Sequence, residues 1–144
     1  MRLYTLLCLL LLVTLPAREP PRAEDSVSGA DADAIRGIVG QQLDAFQADD
    51  SQRAYSYASP TIQQKFSDPV TFMAMVAAAY DPVYRPSEIQ FQGIDLSSGI
   101  PVQLVVLVDR HGKAWMAHYE MVQMEDGSWR IAGCWLEELP DMST

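Results

Sequence analysis

The chain has 144 residues, with 19 acidic side chains against 10 basic ones and a net charge of −9. That length makes one domain rather than two, and an acidic surface repels phosphate backbones and anionic lipid, which excludes nucleic acid and membrane surfaces as leading partners. Two histidines, His111 and His118, have no cysteine companions at metal-ligand spacing, and no nucleophile motif or phosphate loop stands out, so neither metal nor cofactor is expected.

The first element is an export signal. Arg2 supplies the positive charge, and Leu3 to Leu15 is an apolar run of about 13 residues, within the span of a secretory signal and short of the roughly 20 needed to cross a membrane. Residues 1–17 therefore read as a signal cut after Ala17, which sends the protein to the periplasm or the medium. The competing reading is an uncleaved N-terminal anchor, because Leu15 is large where a small residue is preferred. Cleavage would remove Arg2 and no acid, leaving a net charge of −10. Cys8 leaves with the signal, so Cys134 has no internal disulfide partner and reads as a small buried apolar residue. Residues 18–29, with Pro20-Pro21 and Glu24-Asp25, read as a flexible linker, and residues 30–139 as the single domain.

The spacing of Ile35, Ile38, Val39, Leu43 and Phe46 predicts a first helix from about Asp31 to Ala48, capped by Asp31 or Asp33. Gly37 and Gly40 weaken it unless they let the backbone approach the sheet. Asp49-Asp50-Ser51 stops this helix and caps a short second one, Gln52 to Ala58. Ser59-Pro60 and Asp68-Pro69 start two more, with proline at the first helical position. Asp81-Pro82 and Arg85-Pro86 stop the last near Tyr80. The period then changes to alternation. Strands are predicted at Glu88–Leu96, Ile100–Asp109, Lys113–Met124 and Ser128–Glu137, joined by turns that end in Gly99, Gly112 and Gly127. The second is apolar on both faces and so central. The whole is α+β: N-terminal helices packed on a four-stranded antiparallel meander.

Helices followed by a curved sheet that closes with Asp126-Gly127-Ser128-Trp129-Arg130-Ile131 resemble the nuclear transport factor 2-like superfamily. That resemblance implies helices lying across a cone-shaped sheet, often with a pocket inside. More narrowly, the chain is similar to a bacterial family known as domain of unknown function 4864. Gln42-Leu43-Asp44-Ala45-Phe46, Ala54-Tyr55, Ala58-Ser59-Pro60, Phe72-Met73, Met75-Val76 and Arg85-Pro86 carry this similarity. Trp129 to Cys134 completes it. It implies a fold and an exported bacterial setting, and it supplies no activity.

Strand register decides which residues share the cone, because a one-residue slip exchanges the two faces of a sheet. Three-residue loops ending in Gly112 and Gly127 set Asp109 opposite Lys113 and Met124 opposite Ser128. One face then carries Gln103, Val105, Leu107, Trp115, Ala117, Tyr119 and Met121. On the last strand Trp129, Ile131, Gly133 and Trp135 continue it. This register is preferred because it gathers the aromatics, and it makes Gln103, Tyr119, Tyr55 and Trp129 the candidate pocket residues. The opposite face receives Val102, Leu104, Val106, Met116, His118, Glu120, Val122, Arg130, Cys134 and Leu136. Two-residue turns would instead bring His118 and Glu120 into the cone as an acid–base pair. The other reading of that pair is a solvated or interface pair on the outer face.

Asp44 is either a carboxylate in the cone or part of a solvated helix face. Arg85 either anchors a substrate or binds helix-end carbonyls. Met73 and Met75 read as core fillers. The leading expectation is an exported domain without enzymatic activity that binds a small apolar ligand or a protein partner. The alternatives are a small isomerase or lyase with a pocket acid or base, and a dimeric structural domain joined through the apolar outer face.

Overall fold

The computed structural model describes residues 27–141. The signal reading (1–17) and residues 18–26 of the linker reading lie outside the described residues. Five helices come first: α1 (Gly29–Gln47), α2 (Ser51–Ser56), α3 (Pro60–Phe66), α4 (Pro69–Ala79) and α5 (Asp81–Tyr84). Four strands follow in sheet order: β1 (Glu88–Asp95), β2 (Val102–Val108), β3 (Ala114–Gln123) and β4 (Trp129–Glu138). The sheet is antiparallel and open, and helices precede it throughout, so the α+β expectation holds.

Local chemistry explains where the helices start. Asp50, Ser59 and Asp68 each accept a hydrogen bond from a backbone N–H of the following first turn, and Pro60 and Pro69 follow two of them. Small end shifts aside, two features differ from expectation. Ser28, rather than Asp31 or Asp33, caps α1, accepting from the Asp31 N–H. Asp31 therefore lies inside the first turn, where it is free to bond elsewhere. After Tyr80 the chain makes one further helical turn, α5, because Pro82 is favourable near a helix start even where it stops the preceding helix.

The core lies between α1 and the inner face of the sheet. Ile35, Val39, Leu43 and Phe46 of α1 are buried at helical spacing against Val105, Leu107, Ala117, Tyr119 and Met121. Both long turns are three-residue loops. Asp109 pairs with Lys113 and Met124 with Ser128, while Gly112 and Gly127 take φ of +80° and +84°, a conformation costly to other residues.

Two bulges break the alternation. In β1 the register shifts between Phe91 and Ile94, so both face the core. The amide of Gln103 donates to the Gln92 carbonyl at 2.8 Å, in the bulge itself. In β4, Met121 pairs with Ile131 but Glu120 pairs with Gly133, leaving Ala132 without a partner. That extra residue reverses the facing of everything after it. Cys134 and Leu136 turn inward opposite Tyr119 and Ala117, whereas Gly133 and Trp135 turn outward opposite Glu120 and His118. The expected faces of these four residues are thus corrected. Beside the bulge, residues 57–59 bond the free edge of β4. The Ile131 N–H donates to the Tyr57 carbonyl at 2.9 Å, and the Ser59 N–H donates to the Ile131 carbonyl at 2.8 Å.

Candidate functional site

The bulged segment of β4 forms the floor of a cleft of about 410 Å³. Ile131, Ala132, Gly133 and Cys134 make the floor. Ile62, Lys65 and Phe66 of α3 and Phe72, Met75 and Val76 of α4 make the walls, with Tyr80 and Val83 at one end. Small residues at 132 and 133 leave room above the strand. Phe72 is braced by Phe46, Tyr55 and Phe66, whose ring centroids lie 5.8–6.0 Å from its own. An apolar wall built on packed aromatics and few polar groups is the usual make-up of a small-molecule pocket.

The chemistry inside this cleft is quiet. Burial pushes the Cys134 thiol up to about 12, which keeps it protonated and unreactive as a nucleophile. Burial likewise raises the Tyr119 hydroxyl well above its ordinary value. That hydroxyl is fully buried beside the thiol and makes no well-formed hydrogen bond. Lys65 is exposed at the rim, its ammonium 5.4 Å from the Phe66 ring centroid, and it is the one formal charge among the lining residues.

The four residues singled out from sequence do not line this cleft. Each has a structural tie or position instead. Tyr55 Oη donates to the Gln63 carbonyl at 2.6 Å, and Trp129 Nε1 donates to Asp31 Oδ1 at 3.0 Å. Gln103 closes the β1 bulge, and Tyr119 is sealed beneath Cys134. His118 and Glu120 lie on the outer face of the sheet. The His118 ring stacks on the Trp135 indole, with centroids 4.8 Å apart and planes 9° from parallel. Its Nε2 lies 3.3 Å from Glu137 Oε2. Asp44 is exposed on α1. Arg85 binds helix-end carbonyls as expected, that of Tyr84 at the end of its own α5 at 3.0 Å and that of Phe46 in the last turn of α1 at 2.6 Å, and it pairs with Asp49 at 2.8 Å.

Sequence reasoning missed two features. Ala132-Gly133 as a pair of small residues was the available signal for the bulge and for the open floor. Asp109 reads in the sequence only as a strand end facing Lys113 across the loop. It is buried and accepts from the His111 and Lys113 backbone N–H groups and from Trp115 Nε1 at 2.8–3.0 Å. The Trp115 bond leads the causes that hold its carboxyl below the ordinary value.

Among the described residues, no group of three or more His, Cys, Asp or Glu is arranged to hold a metal ion. No described helix is long and apolar enough to cross a membrane. A family model described as a domain of unknown function, DUF4864, matches residues 28–144. The chain belongs to the DUF4864 family. The match takes in every helix and strand of the described residues, including the bulged β4 that floors the cleft. No curated protein and no solved structure matches the chain.

Proposed function

We propose that this DUF4864 domain is a non-enzymatic binding module that holds a small apolar molecule in the cleft between α3, α4 and β4. The observation that carries this reading is the lining: aromatic and aliphatic side chains on every wall, with the thiol of Cys134 held protonated at the floor. Ligand affinity in such a site comes from apolar area removed from water, at about 25 cal/mol per Å² before the costs of association. An isomerase or lyase would need an acid or base at the cleft, and His118 and Glu120 point to the far side of the sheet. The nuclear transport factor 2-like superfamily and export directed by residues 1–17 belong to the same proposal. They rest on the order of elements and on Arg2 with the Leu3–Leu15 run.

Methyl NMR tests the reading. Adding 1-octanol is expected to shift the methyl signals of Ile62, Val76, Val83 and Ile131, and to leave those of Leu104 and Val106 on the outer face in place. Met75→Trp, which fills the cleft, is expected to abolish the shifts with the fold intact by circular dichroism. Cleft methyls that stay still at saturating octanol would sink the reading.

One further observation favours a second reading, in which the outer face joins two copies of the chain. Trp135 is 46% exposed there, on the edge strand beside the one that carries Met116, with Leu104 and Val106 one strand further in. A protein partner on this face is compatible with an occupied cleft on the other.

A further inference from the structure

Given that the cleft binds a ligand, we propose that the ligand is an amphipathic monocarboxylate: an aliphatic tail lying over the Ala132-Gly133 floor and a carboxylate held at the rim by Lys65. The interior sets the direction. It presents no cation, and its thiol is protonated, so a charged head inside would be desolvated without a partner. A polar head must therefore stay at the mouth, where the only charge among the lining residues is Lys65.

Lys65 is suited to that task. Its stem runs along apolar surface while its ammonium remains in water, next to the Phe66 ring that forms the adjoining wall. Among the described residues no carboxylate lies within ion-pair range of it; Arg36, Arg53 and Arg130 share that state, but only Lys65 lines the cleft. A cation left unpaired beside an apolar cleft complements an anion with an apolar body. The charge balance also selects the head group. A single ammonium against a chain of net charge −9 favours a singly charged carboxylate over a doubly charged phosphate.

The test titrates purified full-length protein with octanoate and with 1-octanol by calorimetry at neutral pH, in wild type, Lys65→Met and Met75→Trp. Wild type is expected to bind octanoate, and Lys65→Met to weaken it about threefold to fivefold while leaving octanol unchanged, the scale of an exposed ion pair. Raising the salt from about 0.01 M to about 1 M cuts the screening length from about 30 Å to about 3 Å and is expected to erase that difference. Met75→Trp is expected to bind neither ligand, which separates the cleft from any binding to the Leu3–Leu15 run. Equal octanoate affinity in wild type and Lys65→Met overturns the carboxylate assignment while the cleft stands. Failure of wild type to bind either ligand overturns the cleft itself.

Discussion

Asp109 shows how one side chain can hold a hairpin. Its Oδ1 accepts two backbone N–H groups of the loop it opens, and its Oδ2 accepts the Trp115 indole. All three donors favour the ionised form, which is why the carboxyl is held below its ordinary value. A depressed folded-state pKa contributes stability that is complete above the unfolded value of about 3.9 and is lost as pH falls through the folded value. Asp109→Asn keeps the Oδ1 contacts but faces the indole N–H with another donor. It is expected to lower Tm at neutral pH, with the gap to wild type closing as both are acidified below the ordinary carboxylate range. Parallel Tm curves from neutral pH to acid would contradict this account. Tyr119 is the opposite case. Its buried hydroxyl lacks a well-formed partner, a state that costs about 1–3 kcal/mol in a core.

At the scale of elements, α1 illustrates what a sequence can and cannot disclose. Its buried face was legible because Ile35, Val39, Leu43 and Phe46 recur at the helical period. The purpose of its glycines was not. An alanine methyl at Gly40 would meet the Phe91 ring at 3.6 Å, an ordinary contact, and one at Gly37 would meet only the Gln41 side chain at 3.8 Å. Close approach to the sheet therefore does not require glycine at either position. Gly40→Ala is expected to raise stability by about 0.5–1 kcal/mol, the difference in helix propensity, measured by urea denaturation. A loss of similar size would show that Phe91 cannot accept the methyl. The strands carry the same lesson. Glycine turns and the apolar β2 disclosed sheet order and loop length, since φ above zero and burial on two faces restrict residue type strongly. The β4 bulge was hidden, because regular alternation through Trp129, Ile131, Gly133 and Trp135 suits an unbroken strand equally well. Ala132 tolerates either facing, so the small pair Ala132-Gly133 is the one trace of the slip. Cleft and outer face both depend on that slip, and of the candidate pocket residues Tyr119 is buried beside Cys134 of the floor and Tyr55 packs on Phe72 of a wall without lining the cleft.

For the whole molecule, the two sides of the sheet invite different measurements. The helix-covered side holds the cleft. The outer side presents Trp135 stacked on His118, with Glu137 alongside. If this face joins two copies, size-exclusion chromatography with light scattering is expected to give a dimer at micromolar concentration and a monomer for Trp135→Glu. A wild-type monomer under those conditions sinks the second reading without touching the cleft. The proposed export belongs to this scale too, and an intact mass lacking residues 1–17 is its expected signature.

The bonds that tie β4 to the helices have a consequence in time. Trp129 reaches Asp31 across 98 positions of sequence, and Ile131 joins residues 57–59 across about 70. Such distant pairings pay their loop-closure entropy before any contact rewards it, which slows folding. A nascent chain halted before Ser128 has every helix yet lacks the strand on which the cleft rests. The pocket therefore exists only once the C-terminal strand has been made and has docked.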